Sequence, residues 1–315
     1  MGNPAQLAII VPCYNEEEAL PESASVLSEF LRGLIVEKLV SPSSYLCFVN
    51  DGSADCTWDI IRETAEKDPL VKGLSLSRNF GHQGALLAGL FSNSADIYVS
   101  IDADLQDDHT TIRSMVEQYY SGCEVVVGVR SSRNTDTFFK RFTANFFYHL
   151  MTFLGVKIVE NAADFRLMSR RAVETLHSFN ERNLFLRGVV PLLGFRTGKV
   201  FYERKPRTAG VTKYPLRKML AFAWDGITSF SVVPLRLAAL LGAVVFLFSL
   251  VLLGIFLWAY FVGDTIRGWT SMIAFVGLLG GAQLFVMAIL GEYVGKIYIE
   301  TKARPHFIVS ERIGD

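Results

Sequence analysis

Cysteine is scarce in this chain of 315 residues: Cys13, Cys47, Cys56 and Cys123 are scattered, and no two of them have metal-ligand spacing. Four such residues build neither a disulfide framework nor a zinc site, and they read as buried thiols in a reducing compartment. Net charge is lacking as well. Lysine plus arginine and aspartate plus glutamate number 31 each, so no global charge recruits an acidic partner, and no nucleic acid is expected. Internal repeats and low-complexity segments are absent. The opening "MGNPAQLAIIVPCYNEE" has no basic stretch before its apolar run, and the run is too short for a signal peptide. Gln6 stands where a myristoylation pattern needs a hydroxyl residue.

Charge is also missing from two long stretches, and there its absence is informative. Leu237–Val262 has 26 residues without a charge, and Trp269–Gly291 has 23. At about 1.5 Å per residue each is long enough, as a helix, for a hydrocarbon core of roughly 30 Å. Only Gly263–Gly268 separates them, so a tight transmembrane hairpin is expected, spanning at about 237–262 and 269–291 within a segment 232–292. Arg204, Lys205, Arg207, Lys213, Arg217, Lys218 and Arg236 precede it, and Lys296, Lys302 and Arg304 follow, whereas the connection holds only Arg267. That asymmetry places both flanks, including a tail 293–315, in the cytoplasm, and makes the chain an integral protein of the inner or plasma membrane. Two aromatic-rich stretches with interspersed cations, near 137–156 and at 211–231, suit helices lying in the membrane interface.

The remainder, residues 1–210, alternates two periodicities. Strand-like runs at Leu7–Val11, Tyr45–Val49, Val71–Leu76, Ile97–Ile101 and Glu124–Val129 frame helical stretches at Glu17–Leu31, Thr57–Glu66, Gly84–Phe91 and Thr110–Tyr120. Such alternation predicts an α/β domain, a mainly parallel sheet with helices on both faces. Ligands of such sheets gather at the carboxyl ends of the strands. Polar clusters follow all five runs: "PCYNEE", "NDGSAD", "SRNFGHQG", "DADLQDD" and "RSSR".

"DADLQDD" puts four carboxylates into seven residues, and their repulsion calls for a cation among them. Asp102 and Asp104 are two apart, so on an extended segment both face one way. Carboxylate oxygens suit hard divalent cations such as Mg²⁺ or Mn²⁺, which keep coordination sites open for phosphate oxygens. Asp51, in the second cluster, can accept from the ring N–H of uracil or of guanine, and Tyr14 can pack near a base. Neither feature chooses between the two.

These motifs resemble those of family 2 glycosyltransferases with the GT-A nucleotide-sugar fold. Closer still is the similarity to polyprenyl-phosphate glycosyltransferases, the bactoprenol glucosyltransferases first and the dolichyl-phosphate mannose synthases more distantly. It runs from "IIVPCYNEE" through "VNDGSADCT", "LSRNFGHQGALLAG" and "DADLQD" to "ADFRLMSRRA", "RTAGVTKYPLRKM" and the paired apolar runs. The resemblance implies that Pro12, Tyr14, Glu16 and Asp51 hold the nucleotide, with Asp102 beside them. It makes Asp102 and Asp104 engage the donor and its metal, with Gln106 completing the metal shell. Asp164 lies where the family's candidate base sits. Arg130, Arg166, Arg207 and Lys213 stand as phosphate or acceptor ligands. The implied reaction moves a sugar, with inversion, from a nucleotide sugar to a polyprenyl phosphate such as undecaprenyl phosphate. UDP-glucose is the favoured donor and GDP-mannose the alternative. One departure is "DDHTT", where prolines opening the helix are expected. A processive polysaccharide synthase would carry Gln-x-x-Arg-Trp, for which "RNLFLRG" is a poor substitute, and a nucleotide sensor would not need three such aspartates. A homo-oligomer stays open.

Overall fold

The computed structural model describes residues 3–131, 162–179, 181, 186–203, 228, 231–262 and 268–314. They fall into two compact units: one holds the sheet and includes residues 303–314, and the other holds two long helices. The first unit opens as the sequence predicts. Strands β1 (Leu7–Cys13), β2 (Tyr45–Asn50), β3 (Val71–Leu76), β4 (Ile97–Ser100) and β5 (Val125–Arg130) alternate with helices α1 (Leu20–Val36), α2 (Thr57–Lys67), α3 (His82–Ser92) and α4 (Thr111–Tyr120). All seven residues of β1 and all six of β2 are buried, because helices cover both faces of a parallel sheet and leave no solvent side. At the start of α4 Asp108 accepts from the Thr110 backbone N–H (3.2 Å) and hydroxyl (2.9 Å), a local turn that serves where prolines were expected.

Three further strands escape a reading of hydrophobic runs: β6 (Ala162–Ser169), β7 (Thr197–Tyr202) and β8 (Val309–Ile313). Two short helices, α5 (Arg170–His177) and α6 (Leu186–Leu192), lie between β6 and β7. The sheet order is β7-β5-β6-β4-β1-β2-β3-β8. β6 runs antiparallel between β4 and β5, β8 runs antiparallel beside β3, and the other six strands share one direction. This is the mainly parallel sheet that the alternation of strands and helices predicts. The reversal of β6 has a geometric consequence: its first residues lie at the edge where the parallel strands end. Ser100 pairs with Arg166, so continuing the register by two residues sets Asp164 across from Asp102.

β8 comes from the far end of the chain. It pairs with β3, and Trp58 Nε1 donates to Glu311 (3.0 Å) across the seam.

In the second unit, α7 (Val233–Val262) and α8 (Trp269–Thr301) are long and apolar enough to cross a membrane. Large side chains such as Phe246, Leu247, Trp258, Leu284 and Phe285 are exposed on them. α8 continues about three turns beyond the uncharged run, carrying the Glu292–Lys296 pair (4.0 Å) in its extension. The Tyr293 hydroxyl donates to the Ser231 carbonyl (2.6 Å), tying α8 to the segment that opens α7. The expected interfacial segment 137–156, most of 211–231, and Arg207 and Lys213 lie outside the described residues.

Candidate active site

The carboxyl ends of β1 to β4 and the start of β6 build one acidic edge. After β2, Gly52 turns with φ +62, and a Cβ there would lie 2.4 Å from the Arg78 carbonyl carbon, so only glycine lets this turn meet the loop after β3. That contact brings the buried Asp51 under the loop, where Oδ1 accepts from the Phe80 backbone N–H (2.7 Å). Burial pushes its carboxyl above the ordinary range, against the Phe80 and Gly81 amides and the charges of His82 and Arg78. Pro12 sits in the buried end of β1, while Tyr14 beyond it is 49% exposed. The Glu16 N–H donates to Thr57 Oγ1 (2.9 Å), which binds the loop after β1 to the start of α2.

The four carboxylates of "DADLQDD" divide their work. Asp107 is buried and accepts from the Tyr202 hydroxyl (2.7 Å), with Arg130 3.6 Å away. Asp108 belongs to the turn into α4. Asp102, its side chain 39% exposed, and Asp104, whose Oδ1 accepts from the Gln106 N–H (3.2 Å), are the pair on the strand end. Leu105 between them and Gln106 has φ 49, a left-handed conformation that a leucine adopts only under local constraint. The Asp102 carboxyl is pushed up by burial, and Asp107, Asp164 and Asp104 add to the rise while His82 opposes it.

Asp164 is held differently. Its Oδ1 accepts from Arg166 (2.7 Å) and from Arg187 Nε (3.2 Å), and Oδ2 accepts from the second Arg187 donor (2.9 Å). Burial by itself would raise its carboxyl, yet Arg166, Arg187 and then His82 hold it far below the usual carboxylate range. His82, at the first turn of α3, places Nε2 3.6 Å from Asp102 and 3.9 Å from Asp164. It therefore stands between the two facing aspartates.

The expected site residues are thus only partly gathered. Pro12, Tyr14, Glu16, Asp51, Asp102, Asp104, Gln106, Arg130 and Asp164 belong to segments at this one edge. Arg166 is buried, and its two terminal nitrogens donate to Asp164 and, at 3.3 Å, to the Leu186 carbonyl rather than to the surface. His82 and Arg187 were not singled out in the sequence. His82 does stand in the cluster "SRNFGHQG" at a strand end, and Arg187 in the "RNLFLRG" set aside as a failed motif. Tyr202 carried no signal.

Asp102 and Asp104 supply hard oxygens, and their crowding is of the kind a divalent cation relieves. Among the described residues no three His, Cys, Asp or Glu side chains converge as a cage. This donor set fits an open Mg²⁺-type site, completed by water and substrate phosphate, better than a closed structural one.

Residues 8–176 match the family model "Glycosyl transferase family 2". The chain is 51% identical over 306 residues to the "Uncharacterized glycosyltransferase YkoT" of Bacillus subtilis (strain 168), covering 96% of this chain and 90% of that one. It is 41% identical over 315 residues to the "Bactoprenol glucosyl transferase" of Shigella phage SfX, covering 98% and 99%. Among solved structures, glucosyl-3-phosphoglycerate synthase from Mycobacterium tuberculosis aligns with TM-score 0.47 and 19% identity, over 72% of this chain and 79% of that one. The chain belongs to glycosyltransferase family 2 and is a glycosyltransferase.

Proposed function

We propose that the protein transfers glucose from UDP-glucose to a polyprenyl phosphate at a membrane, giving a lipid-linked glucosyl phosphate. The observation that carries this reading is the state of Asp164. An acceptor hydroxyl needs a base to take its proton, and an aspartate clamped by two arginines far below its ordinary range is a poor base. A phosphate monoester needs none, because its second pKa of about 6 leaves it mostly dianionic at pH 7. The full-length similarity to bactoprenol glucosyl transferases supports the sugar and the lipid.

In this mechanism an acceptor phosphate oxygen attacks the anomeric carbon, and a new C–O bond forms with inversion. The bond from that carbon to the nucleotide's terminal phosphate breaks, and its electron pair leaves with UDP. No proton moves. Asp51 and Tyr14 hold the base, Glu16 and Pro12 shape the wall beside them, and Asp102 faces the donor sugar. Asp104, with Gln106, would hold Mg²⁺ or Mn²⁺ against the diphosphate. When bound, that ion stabilises charge developing on the leaving group. Arg130, Arg207 and Lys213 receive acceptor phosphate.

The two apolar helices cross the bilayer as a hairpin, with the sheet on the cytoplasmic side where nucleotide sugars are found. Two features support this topology. Cations outnumber those of the connection on both flanks, and the strand that follows α8 belongs to the same sheet that precedes α7. A chain that leaves and rejoins one folded body crosses an even number of times.

The test is a transfer assay with the purified full chain, undecaprenyl phosphate and a panel of labelled nucleotide sugars. Glucose in the lipid extract from UDP-glucose is the expected result. Labelling from GDP-mannose alone would replace this donor by the mannose alternative.

A further inference from the structure

His82 opens α3, and the backbone around it fixes its place. Gly81 has φ +85, which lets the chain turn into the helix. The Ala85 N–H donates to the Gly81 carbonyl (3.0 Å), and the Phe80 N–H is held by the buried Asp51 (2.7 Å). The imidazole placed in this way is 43% exposed, with Nε2 3.6 Å from Asp102 Oδ1 and 3.9 Å from Asp164 Oδ2. Both separations exceed a hydrogen bond. Ionised carboxylates only accept, so the nitrogen that faces two of them carries a hydrogen. Asp164 has Arg166 and Arg187 as partners. The Asp102 carboxylate accepts no hydrogen bond among the described residues, and His82 is the donor nearest to it.

His82 and Asp102 thus offer one donor and one acceptor, 3.6 Å apart and both reached by solvent. A phosphate does not suit them, because two carboxylates flank the imidazole. A metal ion does not suit the imidazole side, because an N–H has no lone pair to give. The group that suits both is neutral and gives one hydrogen bond while taking another, as a hydroxyl does. Its oxygen can lie about 2.8 Å from each partner. A nucleotide sugar carries hydroxyls on its ribose and on its hexose. The ribose belongs with the base, beside Asp51 and Tyr14, whereas the hexose must lie where the acceptor attacks, beside Asp164. On the reading proposed above, we infer that His82 is a donor-sugar residue: with Asp102 it grips one hydroxyl of the transferred hexose, and so helps to set which sugar is moved.

One experiment separates hexose from ribose. The full chain in detergent or nanodiscs is assayed as wild type, His82→Ala and His82→Gln, with undecaprenyl phosphate and either UDP-glucose or its 2-, 3-, 4- and 6-deoxy analogues. Calorimetry gives the UDP affinity of each variant, and the thermal midpoint confirms that it is folded. A hydrogen bond to a charged group corresponds to about a ten- to hundredfold change in binding. In the wild type, the analogue without the gripped hydroxyl should be poorer than UDP-glucose in kcat/KM by about that factor. His82→Ala should lose about tenfold or more with UDP-glucose but little with that one analogue, because the contact is already missing there. The other three analogues should fall as UDP-glucose does. His82→Gln keeps a donor and falls between, and it carries the same comparison should the alanine variant not fold. UDP affinity should stay within about twofold of wild type.

A His82 variant that loses the same factor with all the donors overturns the inference, since His82 would then serve only to hold the two aspartates. A matching loss of UDP affinity overturns it too, and gives the hydroxyl to the ribose. So does a wild type that uses every deoxy analogue as well as UDP-glucose. A wild type that glucosylates no polyprenyl phosphate strikes the parent reading instead, and that is seen before any variant is made.

Discussion

Tyr202 ends β7, and its hydroxyl reaches the buried Asp107 (2.7 Å) while its ring meets Phe165 edge-on at 5.4 Å between centroids. Tyr202→Phe keeps the ring and removes only the hydroxyl. A hydrogen bond to a charged acceptor contributes about 1.5–3 kcal/mol, and Asp107, with a side chain 3% exposed, has little water to replace it. Arg130 at 3.6 Å can close in and recover part, so the expected loss is about 2 kcal/mol. For a folded unit of this size 1 kcal/mol moves the midpoint by about 2–4 °C, giving a drop of about 4–8 °C. Thermal unfolding of the purified full chain at pH 7, followed by intrinsic fluorescence, measures it. Tyr14→Phe is the control: that residue is 49% exposed, and a change there should stay within about 0.5 kcal/mol. A Tyr202→Phe midpoint within about 1 °C of wild type would refute the claim that Asp107 is a structural carboxylate.

Asp104→Asn should remove most turnover, and excess EDTA should silence the wild type; full activity in EDTA contradicts an oxygen-bound divalent ion at that carboxylate. A Cys replacing Thr265 should react with an impermeant maleimide applied to intact cells, whereas one replacing Lys302 should not, and the reverse pattern inverts the topology. Asp164, lowered in the fold by Arg166 and Arg187 from an unfolded value of about 3.9, binds more protons unfolded than folded. Its contribution to stability is thus complete above about pH 5 and lost as pH falls through 4 toward the folded value. The stability gap between wild type and Asp164→Asn should narrow on acidification in that window, and a gap that widens there would mean the pairing is not formed.

Five strands and four helices of the sheet unit were legible because their apolar runs are long and bounded by polar clusters, and the structure moves their ends by a few residues. β6 was not, since "ADFRLMS" alternates Asp164 and Arg166 with Phe165 and Leu167 in a strand that is nonetheless buried on both faces. An antiparallel strand at the centre of a parallel sheet has no signature in a hydrophobic profile. β8 was missed for another reason: "VSERI" alternates weakly at a sheet edge, and its partner β3 lies more than 200 residues earlier. The acidic stretch raised the right question but could not apportion its carboxylates, because Tyr202 and Arg130 reach Asp107 from elements far away in sequence. Asp164 was named through resemblance. The clamp that alters its chemistry joins Arg166, two residues on in the same strand, to Arg187 on α6, and the second contact is one that no spacing rule anticipates.

The central claim is that an already ionised phosphate attacks while Asp164, held between Arg166 and Arg187, takes no proton. The most direct test is the pH–rate profile of glucosyl transfer under saturating donor, for wild type and Asp164→Asn, from pH 5 to pH 10. Both should rise with acceptor ionisation near pH 6 and then stay level, the variant lower throughout by a constant factor. An Asp164→Asn enzyme that climbs back to the wild-type rate at high pH would show Asp164 acting as an ordinary base, and would contradict the account.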